Sequence, residues 1–290
     1  MDDTAIGIAA SVRAGERKAV EVLDACRAAV ASGKGPLNAF VHVDEALARA
    51  AAEAVDERVA AGDDPGPFAG VPIGVKDLED CAGMPTSHGS LLYKGRGPVA
   101  ADSVHLGRLR AAGAVPIGKT AAPEFGTLNF TKTKAWGITR NPWNLERTPG
   151  GSSGGTAAAV AAGLIPCGTA SDGGGSTRIP AAFAGLVGMK PSHGRIPHPG
   201  PSGSQTAVYG ILTTTVAESA RHLDVTSGPD DRDRLSLPAP TLRYEDAIET
   251  LDVAGLRARW SLDMGFVEHV DPEVARIAEA AARSLAAAAE

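Results

Sequence analysis

Residues 148–184 read TPGGSSGGTAAAVAAGLIPCGTASDGGGSTRIPAAFA, a stretch written almost entirely in glycine, alanine, serine and threonine. No other feature restricts the fold as strongly, because side chains this small let a helix and neighbouring backbone approach closely. The stretch reads as a small-residue helix over 153–163, a strand over 165–169 and a helical start over 176–184, followed by a short buried run, GLVGMK, at 185–190. Two serine–glycine clusters lie inside it, TPGGSSGG and SDGGGSTR, with Ser152 and Ser176 24 positions apart. Two readings stay open at this level. The clusters are either flexible spacers or turns that aim backbone N–H groups inward.

The rest of the chain favours an ordered α/β architecture. Apolar residues recur at helical spacing over 16–32 and again over 44–61, where the run ends at Gly62; LNAFVHV at 37–43 reads as a strand between them. GVPIGV at 70–75 and AVPIG at 114–118 read as strands with a helix over 102–112 between them, the order expected of mixed or parallel pairing through helical crossovers. Helices are expected over 215–227 and from residue 271 onward, and a strand over LRARWSLD at 256–263. The 35 glycines and 20 prolines, 55 of 290 residues, concentrate between 62 and 210, which places a turn-rich region at the centre of the chain. The expected organisation is an N-terminal helical segment over 1–62, a core over 63–228, and a linker with the start of a further part of the same fold over 229–290. Because the sequence stops inside a helix, the fold is expected to be incomplete at its C-terminus.

Composition narrows the setting. A formal charge of −6 without Lys/Arg clusters offers no basic stripe for phosphates. Three widely spaced cysteines, Cys26, Cys81 and Cys167, form neither a CxxC nor a metal-ligand pattern and read as reduced thiols of a cytoplasmic chain. The first 20 residues lack the basic start and long apolar core of a secretory segment. The low-charge run over 150–171 is interrupted by glycine, serine and proline, unlike a membrane helix.

GAVPIGKT at 113–120 formally fits the G-x-x-x-x-G-K-[ST] phosphate loop, with Lys119 and Thr120 in the contact positions. Its AVPI is itself the strand and a turn follows, so the reading preferred is a structural lysine beside a buried strand. The SDGGGSTR cluster has better context: glycines 173–175 can turn N–H groups toward developing oxygen charge, with Ser176 as nucleophile at the end of the turn. A serine hydroxyl needs a base. His88, His193 and His198 lie near the relevant loops, but no G-x-S-x-G elbow places a serine in a histidine triad. Lys76, at the end of GVPIGV, is the better candidate, because desolvation would lower its proton affinity.

These blocks together resemble the amidase signature family, serine hydrolases with a Ser–cis-Ser–Lys triad. GVPIGVKD, GKTAAPEFG and the continuous segment from RTPGGSSGG to MKPSHGRI stand in the family's order within residues 70–196. The resemblance implies an amidase-signature α/β core, a mixed central β-sheet flanked by helices. It makes Lys76 the general base, Ser152 the bridging serine after a cis peptide, and Ser176 the acylated nucleophile. Gly173, Gly174, Gly175 and the Ser176 amide would form the oxyanion hole. Ser153, Asp172 and Arg178 would support it from behind, and GAVPIGKT becomes a structural strand. No metal or organic cofactor is required.

The activity implied is hydrolysis of a carboxylic amide to a carboxylate and ammonia or an amine. Met84, Phe125, Phe130 and Trp136 are candidates for an apolar substrate pocket. The expected partner is a small-molecule amide, with neither nucleic acid nor membrane and with a homodimer as a possible assembly. This preference leans on PHPGPSGS at 197–204, which departs from the pattern expected of transfer-RNA amidotransferase subunits. The alternatives are the catalytic subunit of a transfer-RNA-dependent amidotransferase and a catalytically inactive amidase-like fragment.

Overall fold

The computed structural model describes residues 4–200, 204 and 206–289, apart from the Lys34 side chain. Residues 201–203 of the PHPGPSGS stretch, the first three residues and the last lie outside the described residues. In chain order the elements are α1 (Ala5–Arg13), α2 (Ala19–Leu37), β1 (Phe40–Val43), α3 (Glu45–Ala61), β2 (Pro72–Lys76), α4 (Val104–Ala111), β3 (Val115–Thr120), β4 (Lys132–Thr133) and β5 (Gly137–Ile138). They continue with α5 (Gly154–Ala161), β6 (Cys167–Asp172), α6 (Arg178–Ala184), β7 (Val187–Gly188), β8 (Val208–Thr213), α7 (Val216–Thr226), α8 (Tyr244–Glu249) and α9 (Pro272–Ala289).

Helix starts follow local chemistry. Asp44 accepts the Leu47 N–H at 2.9 Å and Ser103 the Leu106 N–H at 3.0 Å, while Thr215 and Glu218 form a reciprocal capping box on α7. Gly62 ends α3 in a left-handed conformation with φ 81°.

The sheet is mixed, as expected, with strand order β1-β3-β2-β6-β8-β7. β2 runs parallel to both β3 and β6; β1 is antiparallel to β3, and β8 to both β6 and β7. Lys76 and Asp172 are the last residues of the parallel strands β2 and β6, so both emerge at the same edge of the sheet. Helices α1 to α3 share one hydrophobic core with β2 and β3, built on Ile8, Leu23, Val55, Ile73, Ile117 and their neighbours. The 113–120 segment carries strand β3 over its last six residues, and Lys119 is fully buried, donating to the Glu79 carbonyl and to Thr86 Oγ1. Its ammonium is committed to protein acceptors, in keeping with a structural lysine.

The small-residue stretch is explained by packing around α5. A Cβ on Gly155 would lie 2.2 Å from the Ala121 backbone nitrogen, a distance no side chain tolerates. α5 therefore presses directly onto the backbone that leaves β3, and its residues from Gly154 to Val160 are all buried.

The chain divides into two compact units, Met1–Glu245 and Asp246–Glu290. The strand expected over 256–263 does not form: these residues are turn and loop, and all are exposed. No strand pairs with it among the described residues of that unit, and the backbone hydrogen bonds it makes are local turns, from Leu256 to Val253 and from Phe266 and Val267 to Asp263. No helix among the described residues is long and apolar enough to cross a membrane. The three cysteines are free and buried.

Candidate active site

Lys76 ends a strand whose five residues are all buried. Its N–H donates to Thr169 Oγ1 at 2.9 Å, which fixes β2 against β6 at this level. The amine reaches Ser152 Oγ at 2.8 Å, Ser171 Oγ at 3.0 Å and the Ser171 carbonyl at 3.2 Å. Burial pulls its pKa from the ordinary lysine range to about 7, against the opposing charges of Asp172 and Glu79. A large share of the Lys76 population is therefore unprotonated near neutrality and able to accept a proton.

Ser152 is 2% exposed, and the peptide bond before it, Gly151–Ser152, is cis. A Cβ on Gly151 would lie 2.7 Å from the Phe130 nitrogen, so only glycine lets the two backbones meet here. The two serine–glycine clusters touch directly, with the Ser153 N–H donating to the Ser176 carbonyl at 3.2 Å. Ser153 is fully buried, and its hydroxyl accepts the Ser171 N–H at 3.5 Å, a local role.

Asp172 braces the turn that carries Ser176. Its carboxylate accepts from the backbone N–H of Gly175 at 2.7 Å, Thr177 at 3.2 Å and Arg178 at 3.3 Å, and from the Arg178 guanidinium through two bonds of 2.9 Å. Burial alone would raise its pKa, but the Arg178 side chain and the three N–H donors outweigh burial and hold it at about 2. Among the described residues, the N–H groups of Gly173, Gly174 and Ser176 meet no acceptor; the two glycines are exposed and Ser176 is half-buried. Gly175 departs from the oxyanion set expected of it. Its N–H is spent on Asp172, because a carboxylate three residues earlier offers a charged acceptor within the same turn.

The structure thus brings Lys76 and Ser152 into contact and lays the Ser176 backbone beside Ser153. It does not join the Ser152 and Ser176 hydroxyls by a hydrogen bond among the described residues. Ser171 is a site residue that sequence reasoning missed. Its signal was the alternation on β6, which turns Thr169 and Ser171 to the same face as the lysine. The candidate pocket residues separate. Met84 is 0% exposed within the hydrophobic core and has no open surface to offer a substrate. Phe125 and Phe130 are exposed, and Phe125 stacks on His88 with ring centres 6.3 Å apart. Trp136 donates its indole N–H to Ser87 Oγ at 2.7 Å. His193 contacts the Ala207 carbonyl, and His198 packs edge-on against Tyr209; neither these nor His88 hydrogen-bonds to Ser152 or Ser176 among the described residues.

A serine hydroxyl bonded to a buried lysine, with no histidine at hand, is the arrangement of a serine-type hydrolase that dispenses with imidazole. The chain belongs to the amidase-signature family: the family's model, Amidase, matches residues 21–289. It is an enzyme of that hydrolase family. A solved bacterial aryl acylamidase of the family superposes with a TM-score of 0.90 at 33% identity, over 98% of this chain and 59% of that one.

Among curated relatives, a glutamyl-tRNA(Gln) amidotransferase subunit from Chloroflexus aggregans is 42% identical over 94% of this chain and 55% of its own length. The acylamidase of Rhodococcus erythropolis is 41% identical over 93% of this chain and 57% of its own. The chain thus spans little more than half the length of these relatives. Likeness to the amidotransferase protein overturns the expectation of a free small-molecule amide with no nucleic acid. Net charge carried little weight against nucleic acid because it averages over a whole chain.

Proposed function

We propose that this chain carries the amide-cleaving centre of a transfer-RNA-dependent amidotransferase. Lys76 accepts a proton from Ser152 Oγ as Ser152 accepts one from Ser176, and Ser176 Oγ bonds to the carbonyl carbon of a carboxamide. The N–H groups of Gly173, Gly174 and Ser176 face the oxygen that becomes negative. The proton returns through Ser152 to the leaving nitrogen, the C–N bond breaks and ammonia departs, leaving an ester on Ser176. Water, deprotonated by the same relay, then releases the carboxylate.

The observation that carries this reading is the 2.8 Å bond from Lys76 to Ser152, made by a lysine whose proton affinity burial has lowered. The choice of amidotransferase is supported by the glutamyl-tRNA(Gln) amidotransferase subunits, 42% identical over more than nine-tenths of this chain. The full-length protein, assembled with the other subunits of such an amidotransferase, is expected to release ammonia from glutamine and to form glutaminyl-tRNA from glutamyl-tRNA. Hydrolysis of aryl amides with neither product would instead favour a stand-alone amidase, the reading supported by the Rhodococcus acylamidase.

A further inference from the structure

Beneath Lys76 lies a buried set of ionisable groups to which the amide chemistry assigns no step. Glu79 follows one turn later, its N–H donating to the Lys76 carbonyl at 2.9 Å. Its Oε1 accepts from Ser103 Oγ at 2.6 Å and lies 2.8 Å from His105 Nδ1. His105 Nε2 in turn lies 2.7 Å from His222 Nε2. Glu79, His105 and His222 are 2%, 0% and 2% exposed, although they come from the turn after β2, from α4 and from α7.

Two ring nitrogens at that distance share a single proton. Either His105 is doubly protonated and donates to both neighbours, or both rings are neutral and His222 donates to His105. The first state leaves the set uncharged; the second leaves it with the full negative charge of Glu79. Burial drives the pKa of His222 well below its ordinary value, with the charge of His105 adding to the effect, and of the two rings it is His105 that touches the Glu79 carboxylate. The second carboxylate oxygen, Glu79 Oε2, is buried and has no partner of hydrogen-bond geometry among the described residues. The Thr169 hydroxyl, which accepts the Lys76 N–H, also interacts with this carboxylate. In so dry a place a charge is weakly screened.

We propose that Glu79 is a positioning residue for the amide hydrolysis, and that the His105–His222 pair switches its charge and so governs when Lys76 is a free base. The inference rests on Lys76 being the base of the proposed reaction. Lys76 also faces Asp172 from β6, with Arg178 paired to it, and has Asp77 as its neighbour in sequence. Glu79 faces Lys119 from β3, Asp80 and Cys81 from its own turn, and Tyr209 of β8, which stacks on His105. Asp102 precedes α4, and His198 rests on Tyr209. None of these groups is removed by a substitution at Glu79 or His105 alone.

The test is the rate of fluorophosphonate labelling of Ser176 against pH in the full-length protein and in Glu79→Gln, His105→Gln and Lys76→Ala. Glu79→Gln keeps an acceptor for Ser103 but loses the anion, so its acid limb is expected to fall by at least about half a pH unit. Below the wild-type limb, labelling relative to the plateau then rises about threefold. His105→Gln still donates to Glu79 but cannot take a second proton, so its limb is expected to rise. An unmoved limb in Glu79→Gln, or displacement of both variants in the same direction, overturns the inference. If Glu79→Gln does not fold, as judged by circular dichroism, His105→Gln decides: a raised limb supports the inference, and an unmoved or lowered one overturns it. Undiminished labelling in Lys76→Ala overturns the base assignment and this inference together. Loss in Lys76→Ala with unmoved limbs elsewhere overturns this inference alone.

Discussion

Lys76 is held in a place that suits its chemistry and not its charge. The folded chain keeps it protonated only below about pH 7, whereas the unfolded chain keeps it protonated to about 10.4. Between those values the unfolded state binds the extra proton, so this residue's cost to stability shrinks as pH rises. Lys76→Met is therefore expected to abolish labelling and activity while raising Tm at pH 7.5, as read by thermal denaturation. Asp172 has the opposite sign. Its carboxyl is held at about 2, so its contribution is present at neutral pH and lost as pH falls toward that value. Asp172→Asn leaves three N–H donors without a charged acceptor and is expected to cost about 1–3 kcal/mol in chemical denaturation, with a lowered kcat. At this scale Lys76, Ser152 and Ser176 each stand in a distinctive block of the sequence, and the fold brings the first two into contact. Gly175 was misplaced because nothing in SDGGGSTR says which N–H the aspartate takes. Glu79, His105 and His222 were invisible because they are 26 and 117 positions apart and meet only through folding.

The elements were legible where their signals are local. Capped helices such as α3 and buried runs such as β2 and β3 announce themselves by periodicity and by their ends. β8, VYGILT, is a weak local signal: six residues interrupted by a glycine, between a proline-rich stretch and the capped start of α7. LRARWSLD shows the converse: it reads as a strand, and among the described residues no strand pairs with it. α5 yields the sharpest prediction at this scale. Gly155→Ala adds one methyl against the Ala121 backbone, and overpacking of this kind costs about 1–3 kcal/mol. A drop of that size in urea denaturation is expected, and unchanged stability would show that α5 can shift without penalty.

Taken whole, the molecule uses one mixed sheet to bring the ends of β2 and β6 together, while the glycine-rich loops carry Ser152 to Lys76 and lay the Ser176 backbone beside Ser153. Its three thiols are buried, and burial pushes those of Cys26 and Cys81 up to about 12, so native protein is expected to react with a thiol reagent far more slowly than unfolded protein. The central claim is that a lysine relays through one serine to activate another. Mass spectrometry of the fluorophosphonate-treated full-length protein tests it most directly. The account predicts a single adduct on Ser176, absent in Ser176→Ala and formed at least about a hundredfold more slowly in Lys76→Ala. An adduct on another residue, or equal rates with and without Lys76, would contradict it.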